Sequence, residues 1–166
     1  MTTHAELELL NGLPRGARLL GLDLGTKTIG LALSDVERRL ATPLETIGRV
    51  KFTPDAARIA AVSARYGVGG LVFGLPVNMD GSEGPRAQAT RAFARNLGRT
   101  LPLPVAFWDE RLSTAAVTRT LIEADASRAR RAAVVDRMAA AYILQGLLDR
   151  LSHHRERPWL DIASED

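Results

Sequence analysis

The sequence predicts an α/β fold: a mixed five-stranded sheet, three antiparallel strands followed by two parallel ones, flanked by helices. Three observations lead there. The first fifty residues hold three apolar strand-like runs joined by linkers too short for a crossover, which makes them an antiparallel meander. From Pro54 the apolar spacing becomes helical. Beyond that, short apolar runs alternate with helical segments, as right-handed crossovers require. With 166 residues, 46% of them hydrophobic, the chain has enough apolar surface for one well-packed domain and hardly enough for two.

The elements follow in order. Residues 1–17 carry weak helical spacing at Leu7, Leu9 and Leu10 before a Gly-Leu-Pro-Arg-Gly break, and are expected to be an N-terminal appendage. Residues 18–24 and 28–35 read as strands, and roughly 39–48 as a third that contains Pro43. Thr53 is the expected N-cap of a helix opened by Pro54, with Ala57, Ala60, Ala61 and Ala64 at helical spacing and Gly67 as its stop. "GGLVFGLP" is a short buried strand and "VNMDGSEG" a polar loop. "PRAQATRAFARNLGRT" is a helix from Pro85 to near Gly98, and "PLPVAFWDE" a further strand. A short helix is expected over 113–126, capped by Ser113, and a long one from about Val134 to Leu151. The order βββ, αβ, αβ, αα is that of the ribonuclease H-like fold. The expected division is the appendage, one folded domain over 18–152, and a polar tail over 153–166.

Composition excludes several chemistries. There is no cysteine, hence no disulfide, thiolate metal site or cysteine nucleophile. No apolar run approaches the ~20 residues that span a bilayer. The start, "MTTHAELELLNGLPRGARLL", lacks the basic and apolar regions of a signal peptide. A soluble, cytoplasmic protein without membrane partners is expected. The net charge is +3, and Lys27 and Lys51 are the only lysines, so arginine carries the positive charge. Arginine forks onto phosphate with paired hydrogen bonds, which suits a polyanion.

Three carboxylates stand where a core is expected. Asp23 lies near the end of the first strand, with Gly21 sharing its face and Leu22 and Leu24 on the other. A turn carboxylate binding the next loop is the plain alternative. Glu110 ends "PVAFWDE", where crossover sheets build their sites. Asp109 beside it points to the opposite face. Asp136 heads a helical stripe of Ala139, Ala140, Ile143 and Leu147, so it faces inward. An attraction to the helix dipole explains an acid there but not its inward face. Three such acids repel unless a cation intervenes, and oxygen donors suit Mg²⁺ or Mn²⁺. Two ions ~3.5–4 Å apart clamp a phosphodiester. Asp23, Glu110 and Asp136 are therefore expected as metal ligands and catalytic residues of a nuclease.

The segments "GLDLGTKTIGLALSD", "VFGLPVNMDGSEG", "DERLST" and "VVDRMAAAYILQGLLD" resemble, in that order, the YqgF/RuvX family of Holliday-junction-resolvase-like nucleases. The resemblance implies that Asp23, Glu110 and Asp136 are the acidic metal-binding triad. It implies a cytoplasmic role in maturing the 5′ end of 16S rRNA, in resolving DNA junctions, or both. The segment before the third acid, usually lysine-rich in that family, is "SRARRAAVVD" here. Arg128, Arg130 and Arg131 keep the charge for backbone contact.

Further nucleic-acid contacts are expected from Thr26 and Lys27 in the turn beyond Asp23, from Asn78 in the glycine-rich loop, and from Arg86 at the following helix start. Arg91 and Arg95 share a face of that helix with Arg99; a solvated face is the plain alternative. Arg111 beside Glu110 is expected to pair with an acid or steady a phosphate. Trp108 reads as core, and His153 and His154 as tail residues rather than ligands. Symmetric cutting of a four-way junction would need a homodimer. Two rival functions are a sugar-kinase or actin-like ATPase, suggested by "DLGT" but needing a second domain, and a non-catalytic ribosome-assembly factor, which the three acids argue against.

Overall fold

The computed structural model describes residues 2–112 and 128–157, with the side chains of 128–134 outside the description. The helix expected over 113–126 and its Ser113 cap lie outside the described residues, as does the chain from 158. Among the described residues no helix is long and apolar enough to cross a membrane.

The chain runs α1 (His4–Asn11), β1 (Arg18–Leu24), β2 (Thr28–Ser34), β3 (Ala41–Gly48), α2 (Phe52–Tyr66), β4 (Val68–Leu75), α3 (Pro85–Leu97), β5 (Val105–Asp109), a 3-10 turn (Glu110–Leu112) and α4 (Arg128–Glu156). The sheet order is β3-β2-β1-β4-β5. β1–β2 and β2–β3 are antiparallel, β1–β4 and β4–β5 parallel. This is the expected mixed sheet. Pro43 is tolerated because β3 is an edge strand with a register shift beside it.

The alternation of side chains along β1 divides the interior into two layers. Leu20 and Leu22 pack with Ile59, Phe73 and Phe93 against α2 and α3. Leu19 packs on the other face with Ala140, Leu144 and Leu147 of α4 and with Leu7 and Leu10 of α1. Gly21 and Asp23 share that second face, so Asp23 looks toward α4. α1 itself begins with a capping box, in which Thr3 and Glu6 satisfy each other's backbone N–H groups.

Several boundaries differ from the expected ones. α2 starts at Phe52 after Lys51 rather than at Pro54 after Thr53, because the buried Asp55 reaches back to accept the Val50 N–H at 3.2 Å. Pro54 still lies in the first turn, where its missing N–H is harmless. Gly67 ends the helix in the left-handed region, φ 65°, as expected of a C-terminal glycine. β5 ends at Asp109, and Glu110 opens a 3-10 turn instead of closing the strand. α4 is longer than Val134–Leu151 at both ends, so His153 and His154 belong to a helix, and His154 is buried at 2% exposure.

Candidate active site

Asp23 is 3% exposed near the end of β1, one residue beyond the Leu22–Phe73 pairing with β4. Across the hairpin it lies opposite Gly30. On β4 its neighbour in the continued register is Gly74. These glycines form the floor of the site. A Cβ at Gly30 would stand 2.0 Å from the Asp136 carbonyl oxygen, and one at Gly74 would stand 2.9 Å from Glu110 Oε1 and 2.4 Å from Ile143 Cδ1. The start of the docked part of α4 therefore rests on bare β2 backbone beside Asp23, and the Glu110 carboxylate hangs over β4. All three expected acids gather at one end of the sheet, beyond the carboxyl ends of its parallel strands.

The stripe below Asp136 is buried as its spacing demands: Ala139, Ala140, Ile143 and Leu147 are at most 2% exposed. Asp136 is half-buried, and the Thr28 hydroxyl donates to its Oδ2. Thr28 lies two residues before Gly30, hence on the same face of β2. Period-two alternation held that signal, but the contact spans 108 residues. A second-layer donor of this kind orients a metal-binding carboxylate. With Asp136 as the expected metal ligand, Thr28→Val should weaken metal affinity about 10- to 100-fold with the melting temperature nearly unchanged. Titration of Mn²⁺ into the variant checks it.

The donor set would fit hard divalent ions, since the candidate ligands brought to this end of the sheet are carboxylates. The three acids do not gather their donor atoms within 4.8 Å of one another; among the described residues one group does, His4, Glu8 and His154.

Asp109, 2% exposed, is turned away from this cluster. Arg111 closes on it with Nε 3.1 and 3.0 Å from the two carboxylate oxygens and Nη2 2.6 Å from Oδ2. That hydrogen-bonded fork holds the Asp109 carboxyl below its ordinary pKa against the opposing effect of burial. The Arg111 Nη1 also donates to the Met79 carbonyl at 3.2 Å, which ties the loop after β4 to the end of β5. A depressed carboxylate pKa stabilises the fold above the unfolded value near 3.9, and that contribution is lost as pH falls through the lowered folded value. Arg111→Met should therefore lower the melting temperature at pH 7 and separate less from wild type at pH 3; paired thermal melts check it.

The other expected contacts fall in several places. Thr26 and Lys27 are exposed at the β1–β2 turn. Thr26 and Arg86 line a cavity of about 100 Å³ together with Arg49, whose Nη1 donates to the Gly25 carbonyl at 2.6 Å. Arg49 carries no motif; only the β2–β3 register, in which Thr28 faces Gly48, would have brought it to this turn. Asn78 closes its own loop, donating to Ser82 Oγ at 3.0 Å. Arg91 is held by Glu83, with Nε 2.5 Å from Oε1, and lies 4.6 Å above the Phe107 ring. Arg95 is exposed on α3. Arg128, Arg130 and Arg131 fall in the first turns of α4 with side chains outside the description. Trp108 is core, its indole edge 2.8 Å from where a Cβ of Gly146 would stand.

Comparison with known proteins agrees with this architecture. A family model described as "RuvX: Holliday junction resolvase" matches residues 17–150. A protein of Paramagnetospirillum magneticum named "Putative pre-16S rRNA nuclease" is 68% identical over 152 residues, covering 92% of this chain and 98% of its own. A namesake from Methylocella silvestris is 67% identical over 134 residues, 81% and 83% of the two chains. Among solved structures, RuvC of T. thermophilus in complex with a Holliday junction substrate superposes with a TM-score of 0.50 at 14% identity, over 80% of this chain and 93% of that one. That likeness is one of fold.

Proposed function

The chain belongs to the RuvX family, and from that premise we propose that it is a divalent-metal-dependent nuclease that processes the 5′ end of pre-16S rRNA. The observation that most supports this reading is the approach of Asp136 and Glu110 to the glycine positions flanking Asp23. Relatives that match nearly end to end and bear the pre-16S rRNA nuclease name favour the RNA substrate over a DNA junction. Work in the cytoplasm follows from that substrate.

In this mechanism Asp23, Glu110 and Asp136 would hold Mg²⁺ or Mn²⁺, which would supply charge stabilisation at the scissile phosphate and make a nearby water more acidic. The remaining work falls to the chain's own groups. Thr28 keeps the Asp136 carboxylate turned toward the floor. The stripe beneath Asp136 fixes the helix that carries it. Arg49 and Arg86 line the cavity at the β1–β2 turn, where a neighbouring backbone phosphate is held by charge and paired N–H groups. Lys27 and Thr26 flank the same turn. Arg111 keeps Asp109 out of the metal cluster and anchors the Met79 loop.

The deciding experiment compares cleavage of labelled pre-16S 5′ leader RNA, a four-way DNA junction and linear duplex DNA. Wild type and Asp23→Asn are tested in Mg²⁺, in Mn²⁺ and in EDTA. Ion-dependent cutting of the leader that Asp23→Asn abolishes is the expected result. Preference for the junction, with a dimer on sizing, transfers the function to DNA resolution. Binding without cutting in either ion makes the protein a non-catalytic assembly factor.

A further inference from the structure

At the end of α4 remote from the carboxylates, two histidines and a glutamate meet. His4 and Glu8 are one turn apart on α1, and His154 comes from the last turns of α4, three residues past the buried Leu151. One donor atom from each lies within 4.8 Å of the other two. His154 is 2% exposed, and its Nε2 is 2.6 Å from Glu8 Oε1. The His4 Nε2 stands 3.9 Å from the same oxygen, too far for a hydrogen bond. The other His4 nitrogen, Nδ1, is buried without a hydrogen-bond partner. The two rings meet edge to face, centroids 5.0 Å apart.

A hydrogen bond joins His154 to Glu8, while His4 Nε2 faces the same oxygen without bonding it. Four-coordinate zinc binds imidazole nitrogen at about 2.0–2.1 Å and carboxylate oxygen at about 2.0–2.2 Å, which spaces its ligand atoms about 3.3–3.5 Å apart. The observed 2.6 and 3.9 Å bracket that spacing. The donors also differ in kind from those of the other site. Two imidazoles and one carboxylate favour Zn²⁺ and its neighbours in the late first row, whereas an all-carboxylate set suits Mg²⁺ and Mn²⁺.

We propose that His4, Glu8 and His154 form a zinc-class metal site, separate in space from the nuclease centre, that clasps α1 to the end of α4. Asp136 and His154 are eighteen residues apart on one helix, a separation of about 27 Å, so each site can be filled without the other. The clasp holds the N-terminal helix, whose Leu7 and Leu10 already lie in the second core layer, to the body of the fold.

The test uses the full chain without an affinity tag, stripped with EDTA and returned to buffer containing excess Mg²⁺. Zinc is titrated by calorimetry, and cobalt is followed by its visible absorption as a reporter of four-coordinate geometry. One equivalent of zinc binding at roughly 10 μM or tighter is expected. Saturating zinc should raise the melting temperature by roughly 5 °C or more at a hundredfold excess over Kd. His4→Ala and Glu8→Gln, both at positions that reach solvent, should stay folded by circular dichroism and bind at least about tenfold more weakly. Asp136→Asn should bind zinc as wild type does. Absence of saturable binding below roughly 100 μM overturns the proposal. So does equal binding by His4→Ala and Glu8→Gln, and so does loss of binding in Asp136→Asn, which would assign the ion to the carboxylates.

Discussion

Gly30→Ala is expected to remove most of the nuclease activity while leaving every carboxylate in the chain. The added Cβ would stand 2.0 Å from the Asp136 carbonyl oxygen, 2.3 Å from its carbonyl carbon and 2.9 Å from the Arg137 nitrogen. All three are helix backbone atoms, so no side chain can swing away, and α4 must lift from the sheet. Overpacking of this kind destabilises by about 1–3 kcal/mol. Activity suffers more, because a displacement of about 1 Å at reacting groups lowers rates on the order of a hundredfold. Gly48→Ala is the matched control on the neighbouring strand: nothing lies within 4 Å of its Cβ position, and it should keep wild-type activity. Initial cleavage rates and thermal melts of the two variants decide the matter. Equal rates would show that the approach of α4 to β2 has no bearing on catalysis.

The other large effect belongs to Asp136→Asn. In the proposed mechanism, losing the Asp136 carboxylate would take away several kcal/mol of transition-state stabilisation. A loss of about 3–4 kcal/mol corresponds to a rate reduced by about 100- to 1,000-fold. Stability should move the other way or not at all, because a half-buried charge disappears and the amide still accepts from Thr28. Single-turnover rates in Mn²⁺ together with melting curves test both halves. A rate loss below tenfold would remove Asp136 from the catalytic set.

The sheet and its order were legible because linker lengths and the change of apolar spacing at Pro54 leave few topologies. The inward aspect of Asp136 was legible because one stripe of four residues carries it. Other features depend on partners far along the chain. Gly30 reads as an ordinary strand glycine until Asp136, over a hundred residues later, is seen resting on it. Thr28 and Arg49 act through contacts that no local pattern encodes. The start of α2 moved because Asp55 serves as a cap from inside the helix. His154 reads as tail because apolar spacing is legible only to Leu151 and polar residues follow, yet it continues the stripe of Leu147 and Leu151. The Thr3–Glu6 capping box was present in the sequence, although weak leucine spacing alone suggested a helix there.

The length of α4 has a mechanical consequence. Its 29 residues span about 43 Å, and its buried middle, from Ala140 to Leu148, acts as a fulcrum between two working ends. Asp136 and His154 lie about 12 and 15 Å to either side of Leu144, so a tilt of about 5° about that point moves each by about 1 Å, the scale on which catalytic geometry is won or lost. The helix is thus a lever: whatever fixes its angle at the His154 end also sets the height of Asp136 above the glycine floor.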